Sequence, residues 1–116
     1  MVKNLKNKIE VVDVRGIIVV CEESQWENHI APFHPEVEDK IEEVENTIKD
    51  PDVIYQSAED RKRDVYFRKM DNATDYMKVI VEMPFPNYGE IITAFPRKDI
   101  SGNIDTEVIK YDKCKL

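Results

Sequence analysis

The sequence has few of the residues that form disulfide staples, metal sites and phosphate-binding loops. Of its 116 residues only two are cysteine, Cys21 and Cys114, and only three are glycine. The cysteines are far apart and form no Cys-x-x-Cys pair, so we expect two free thiols in a reducing compartment. The glycines are scattered and give no glycine-rich loop, which excludes Rossmann and P-loop nucleotide binding.

Long apolar runs are also missing. The longest covers residues 17–21, whereas a membrane-spanning helix needs about 20 apolar residues. The basic N-terminal residues are not followed by an apolar stretch long enough for a signal peptide. The sequence therefore predicts a cytoplasmic protein with no membrane partner.

Excess positive charge is the third absence. There are 17 basic and 24 acidic residues, for a net charge of −7. Such a chain is not a typical nucleic-acid binder, because affinity for phosphate comes largely from Lys and Arg. The charge is unevenly distributed, however, since residues 61–69 are basic with interleaved aromatics and residues 36–50 are strongly acidic. A locally positive cleft is therefore compatible with the negative net charge.

The length and the 41% hydrophobic content predict a single globular domain over residues 1–116. β-Branched and alternating patterns predict strands at residues 9–14, 17–21, 53–55, 64–70, 76–83 and 90–95. Residues 99–116 contain one more strand, at 106–111, or form a flexible tail.

Two helices are predicted. Ser24-x-x-Glu27 is a capping-box pattern and predicts a short helix to Ile30. A longer helix over residues 35–50 is indicated by a stripe of apolar residues at helical spacing and by the proline at position 51. The order of elements predicts an α+β fold. We expect an antiparallel sheet of about four strands against one long and one short N-terminal helix, with an N-terminal hairpin.

Both histidines, His29 and His34, lie in one short segment and are candidates for general acid or base chemistry near neutral pH. A structural role, in capping or packing, is the alternative for each. The segment does not predict a metal site, because zinc needs at least three ligands and no cysteine lies nearby. No cofactor is expected.

Arg68 and Lys69 lie within a predicted strand of the basic segment, where either side chain could stabilise charge on a phosphate. The alternative is an edge strand protected by charges. Thr93 is a lone hydroxyl in an apolar strand. It is either a β-favouring surface residue or a donor to a phosphate oxygen.

The order of these motifs resembles a known nuclease fold. Trp-x-x-His-Ile is followed by His-Pro-Glu, Thr-Ile-Lys-Asp-Pro-Asp-Val-Ile-Tyr, Tyr-Phe-Arg-Lys and Ile-Ile-Thr-Ala-Phe. Together they resemble the phage and mobile-element branch of the barnase–EndoU–colicin–RelE-like (BECR) nucleases. The resemblance covers roughly residues 22–97, which would be the nuclease-like core of the domain.

This resemblance implies a metal-independent endoribonuclease, in the manner of a toxin, that cleaves RNA by attack of a 2′-hydroxyl on the adjacent phosphate. It implies that His34 or His29 is the general base or acid, that Arg68 or Lys69 stabilises the phosphorane charge, and that Thr93 binds a phosphate oxygen. Tyr55 and Tyr66 would stack on bases and Arg63 would contact substrate. These side chains are expected to converge in one cleft. The sequence departs from the family in two ways: Phe33 stands where a basic residue often precedes the His-Pro pair, and the chain is acidic.

Two alternatives remain open from the sequence. The first is a non-catalytic module on the same fold, which binds a protein through its acidic helix face or is an inert accessory of a mobile element. Besides RNA, the candidate partners of the chain are a protein partner or an antitoxin. The second is an unrelated α+β protein, including a metal-binding one.

Overall fold

The computed structural model describes residues 6–57, 59–71, 73–100 and 108–115. Within these residues seven strands form one sheet with the order β1-β2-β6-β5-β4-β3-β7. Neighbouring strands are antiparallel except for β2 and β6, which are parallel. The strands are β1 (Asn7–Val12), β2 (Ile18–Glu22), β3 (Val53–Gln56), β4 (Arg63–Lys69), β5 (Tyr76–Phe85), β6 (Tyr88–Arg97) and β7 (Ile109–Asp112).

The expected antiparallel sheet of about four strands against a long helix is wrong. The N-terminal hairpin β1–β2 is part of the sheet, because Ile18, Val19 and Val20 pair in parallel with Tyr88, Gly89 and Glu90. At the other edge β7 pairs with β3. Hydrophobic spacing reports only local structure, so it predicts the hairpin as a separate unit. In the structure the apolar side chains of the hairpin continue the buried face formed by β4, β5 and β6.

The long helix predicted over residues 35–50 is interrupted. A 3₁₀ turn covers Pro35–Val37 and the helix α2 covers Ile41–Lys49, with Lys40 between them at φ −119° and ψ 29°. Neither His34 nor Lys40 caps the segment that follows it with its side chain. Packing therefore holds the two pieces in place.

The short helix is also irregular. A single turn, α1 (Glu23–Gln25), continues into a π-helical turn at Trp26–Ile30. Ser24 is not the N-cap, and its hydroxyl lies 3.5 Å from the carboxylate of Glu22. Trp26 and Ile30 are both buried, as their spacing predicts.

The core lies on one side of the sheet, where α2 and the π-helical turn pack. Side chains of the helical segments and of six strands meet there in one apolar cluster, which includes Trp26, Val44, Ile48, Val79 and Ile91. Since side chains alternate along a strand, the intervening residues of β4, β5 and β6 point to the opposite side, called the open face below. On that side Val65 and Phe67 are buried as well, whereas Tyr76, Lys78 and Phe95 are partly exposed. No helix in the described ranges is long and apolar enough to cross a membrane.

Candidate nucleic-acid interface on the open sheet face

Strand register arranges the open face in rows. At one end, Lys69, Tyr76 and Arg97 are cross-strand neighbours. The next row is Val53, Phe67, Lys78 and Phe95, and the third is Tyr55, Val65, Ile80 and Thr93. At the other end, Arg63, Glu82, Glu90, Val20 and Glu10 form the fourth row. Basic and aromatic side chains thus lie at one end of the face, and carboxylates at the other.

Phe95 is the centre of the basic–aromatic end, which consists of His34, Lys69, Tyr76, Lys78, Phe95 and Arg97. The imidazole of His34 stacks on the Phe95 ring with 4.5 Å between centroids and an angle of 23°. The Arg97 guanidinium carbon lies 4.7 Å from the same centroid, and the Lys78 ammonium lies 5.5 Å away. Attraction between the cations and the ring holds the positive charges at this point of the surface.

His34 supplies the one imidazole of this cluster, a group that can accept or donate a proton. Its Nδ1 lies 3.7 Å from Oε1 of Glu36, and its side chain is 32% exposed. The stack on Phe95 and the nearby Glu36 orient the ring, and the described residues give Nε2 no hydrogen-bond partner. Nε2 is therefore available to exchange a proton with a ligand.

Two cations of the basic–aromatic end have no carboxylate within 4.0 Å among the described residues. These are Lys69, which is exposed at the end of β4, and Arg97 at the end of β6. No described carboxylate holds either cation in an ion pair, although Glu36, Asp75 and Asp99 line a cleft beside Arg97, so both cations can pair with a ligand phosphate.

Alternation along β4 separates the two predicted phosphate-stabilising residues. Lys69 lies on the open face, and Arg68 lies on the side of α2. Arg68 is 3.8 Å from Glu43 of α2 and 3.5 Å from Asp71. These carboxylates engage its guanidinium, so Arg68 does not reach the open face.

The predicted convergence is therefore partial. His34, Lys69 and Thr93 share the open face, with Thr93 half-buried and two positions before Phe95 on β6. His29 is exposed on the π-helical turn and shows no contact with the basic–aromatic end among the described residues.

The three predicted substrate contacts also divide. Tyr55 is half-buried on the open face beside Val65. Tyr66 is fully buried on the core side, so it cannot stack on a base. Arg63 lies at the acidic end, 3.7 Å from Asp60 and 3.5 Å from Glu82, where it neutralises those carboxylates.

Sequence reasoning missed a buried polar cluster at the end of the core side. The Asp13 carboxylate accepts hydrogen bonds from the backbone N–H groups of Arg15 and Ile17, from Arg15 Nε and from the Tyr66 hydroxyl, at 2.7–3.1 Å. The Arg15 Nη2 donates to Asp64 and to the Tyr66 oxygen, each at 2.9 Å. Burial raises the pKa of Tyr66, so its hydroxyl stays protonated as a donor. The sequence did contain a signal for this cluster. The alternation of β4 puts Asp64 on the same side of the strand as Tyr66, so an acid occupies a core-facing position where an apolar residue is expected.

Other possible sites are weaker candidates for a polyanion. A cleft of about 810 Å³ near Met70 is lined by three acids, Glu36, Asp75 and Asp99, and by three bases, Lys40, Arg97 and Lys98. Its balanced charge favours no ligand of one sign. The described part of the chain contains no group of three or more His, Cys, Asp or Glu side chains that could hold a metal ion.

No family model matches this chain, and comparisons with curated proteins and with solved structures likewise find no match.

Proposed function

We propose that the basic–aromatic end of the open face binds single-stranded RNA and that His34 transfers a proton there in metal-independent cleavage. The observation that carries the proposal is the stack of His34 on Phe95 beside Arg97, with Lys69 in the adjacent row. The protein would act in the cytoplasm, where its two thiols stay reduced.

Single-stranded RNA fits the chemistry of this surface. Proteins bind such strands by placing cations along the backbone and aromatic rings against the bases. Lys69 on β4 and Arg97 on β6 are separated by β5, which carries Tyr76 between them. Neighbouring strands are about 4.8 Å apart, so the two cations are separated by two such spacings. Tyr55 offers a second half-buried ring on the same face.

The acidic residues support this placement. Glu10, Glu82 and Glu90 repel phosphate from the opposite end of the open face, and the acids of α2 lie on the other side of the sheet. The phosphate backbone of the RNA would therefore be confined to the basic–aromatic end. Because the net charge is negative, long-range attraction of RNA is weak and contact charges supply the affinity.

Cleavage would follow from general base chemistry at His34. Nε2 accepts the proton of a 2′-hydroxyl, the 2′-oxygen bonds to the adjacent phosphorus, and the bond to O5′ breaks. The O5′ atom takes a proton from solvent and His34 returns its proton to solvent, which gives a 2′,3′-cyclic phosphate and a 5′-hydroxyl. Arg97 and Lys69 would stabilise the charge on the phosphorane, and the Thr93 hydroxyl would donate to a phosphate oxygen.

Binding is tested by fluorescence anisotropy with a labelled 12-nucleotide RNA across a salt series. In the double variant Lys69→Ala/Arg97→Ala we expect weaker binding and a salt slope shallower by about 1.4, since each contact to a single strand contributes about 0.7. The matched control is Lys8→Ala/Lys49→Ala, which removes the same charge from exposed positions elsewhere. Equal losses in both double variants would contradict a localised site.

Cleavage is tested separately with an RNA pool in EDTA. We expect His34→Ala to abolish formation of 2′,3′-cyclic ends. We expect His29→Ala to retain it, because no contact joins His29 to the basic–aromatic end among the described residues. Binding without cleavage would leave an RNA-binding protein. Absence of both would favour the alternative, a non-catalytic module that binds a protein partner.

A further inference from the structure

A second positively charged site lies at the opposite end of the molecule from His34. The β1–β2 turn, the loop before β4, the β5–β6 hairpin and β7 enclose a cleft of about 370 Å³. Apart from the carboxylate of Asp64, its described lining is of two kinds, cationic and apolar. The cations are Arg15, Arg61, Lys62 and Lys110, and the apolar side chains are Ile17, Met83, Pro84, Phe85 and Pro86.

We infer that this cleft binds a nucleotide-sized ligand, with a phosphate on the cations and a planar ring against Phe85. The cleft volume lies at the lower end of the range of about 300–1,000 Å³ for small-molecule sites. The inference does not rest on the RNA proposal, because the cleft shares no residue with the basic–aromatic end.

Charge supports the phosphate. Asp64 is the one carboxylate that lines the cleft in the part of the chain that the structure describes, and Arg15 at 2.9 Å and Lys110 at 3.7 Å cover it. Asp13 lies behind them, 3.0 Å from Arg15. Arg61 and Lys62 are exposed and have no carboxylate within 4.0 Å among the described residues. With Asp60, whose carboxylate accepts the Lys62 N–H at 2.9 Å, four cations face three carboxylates among the described residues, and the site stays net positive in an acidic protein.

Arg15 is the residue best prepared to receive an anion. Its Nε and Nη2 are held by Asp13, Asp64 and Tyr66, and its side chain is 22% exposed. No acceptor in the described ranges uses Nη1, which therefore keeps both protons for a ligand. Because the guanidinium is already fixed, binding costs little side-chain entropy.

The remainder of the site is also ordered before a ligand binds. The Lys62 carbonyl accepts the Met83 N–H at 2.6 Å, which ties the cationic loop to the hairpin. Asp60 accepts the Lys62 N–H at 2.9 Å within that loop. The Phe85 side chain is 63% exposed between two prolines. A nucleobase could stack on this ring without displacing protein atoms.

The inference is tested by isothermal titration and by ¹H–¹⁵N NMR with four probes: AMP, UMP, adenosine and inorganic phosphate. We expect both nucleotides to bind at least about tenfold more tightly than adenosine or phosphate alone, since each of these lacks one half of the recognition. The amide signals of Gly16, Ile17, Met83 and Phe85 should shift on binding.

Variants locate the two halves of the site. Arg61→Ala/Lys62→Ala should weaken AMP binding at least about tenfold and leave adenosine unchanged, and Phe85→Ala should bring AMP to the level of phosphate. All three side chains are exposed, so folding should persist, and circular dichroism checks this. The control Lys8→Ala/Lys49→Ala, which removes two positive charges from exposed positions outside both proposed sites, should bind AMP as the wild type does.

Three outcomes would overturn the inference. They are no saturation with AMP up to 10 mM, equal affinity for AMP and phosphate, or an equal loss in the control variant. If nucleotides do bind, a 5′-phosphorylated RNA oligonucleotide compared with its 5′-hydroxyl form decides whether the ligand is a free nucleotide or an RNA end.

Discussion

The Tyr66 hydroxyl donates a 2.7 Å hydrogen bond to Oδ2 of Asp13, which joins β4 to the β1–β2 turn across 53 positions of sequence. Both side chains are buried. The same carboxylate also holds Arg15 and two backbone N–H groups of the turn. One carboxylate group therefore organises the cationic cleft and fixes the hairpin to the centre of the sheet.

Tyr66→Phe should lower the free energy of unfolding by about 1–2 kcal/mol, because Asp13 loses a buried donor while its other three remain. Urea denaturation measures the change. The control is Tyr76→Phe, since the Tyr76 hydroxyl has no hydrogen bond to another described residue, and that variant should stay within about 0.5 kcal/mol of wild type. Equal effects in the two variants would show that the hydroxyl of Tyr66 contributes nothing specific.

Arg15→Met should destabilise the protein far more. Asp13 and Asp64, with side chains 0% and 4% exposed, would lose the guanidinium that neutralises them. Removing one partner of a buried ion pair costs about 3–5 kcal/mol, and we expect the lower end here because Arg15 itself reaches solvent. Arg61→Met removes the same charge from an exposed position, and chemical denaturation should find it close to wild type.

Cys21 gives a stability signature at alkaline pH. Burial, with a smaller contribution from Glu22, raises the pKa of its thiol from 9.0 to about 12. Between these values the unfolded chain has lost the proton and the folded chain retains it. Stability should therefore fall with rising pH, by about 1.4 kcal/mol per unit from this thiol.

Urea midpoints measured from pH 8 to pH 11 test this. Above pH 9, the stability of Cys21→Ala should fall with pH less steeply than that of the wild type, by about 1.4 kcal/mol per unit. Its stability at pH 8 should be lower than that of the wild type. The raised pKa of Tyr66 also lowers the stability as the pH rises above 10, in the wild type and in Cys21→Ala alike. An unchanged slope in Cys21→Ala would mean that this thiol is not the source.

Gly89→Ala should lower the thermal midpoint through a steric clash. An added Cβ would lie 2.6 Å from Cγ1 of Val81 and 2.9 Å from Sδ of Met83, both packed against β6. Overpacking of this kind costs about 1–3 kcal/mol. The control is Gly16→Asn. Gly16 has φ 87°, a left-handed conformation that Asn tolerates, and a Cβ added there meets no atom within 4 Å. Scanning calorimetry should find the larger loss at Gly89.

Local features were predictable from the sequence, and non-local ones were not. The alternation in residues 76–83 indicated β5, and the spacing of Trp26 and Ile30 indicated their shared burial, because both patterns depend on near neighbours. The parallel pairing of β2 with β6 depends on residues in separate parts of the chain. No local pattern encodes it.

The candidate site shows the same division. His34, Lys69 and Thr93 could be singled out by residue type, but only the register of β4 decides that Lys69 rather than Arg68 lies on the open face. Arg97 and Phe95 became visible as site residues through their contact with each other and with His34. Asp13 was not singled out, because an acid in a turn normally points to solvent.

The parallel pairing of β2 with β6 has a consequence for how the protein folds. The β4–β5–β6 meander and the β1–β2 hairpin each form from nearby segments, whereas β2 can dock only once the edge of β6 exists. Closing the long intervening loop is entropically slow. Docking of the hairpin is therefore expected to be the late step of folding, and the cationic cleft, which needs Arg15 of the hairpin, would be assembled last.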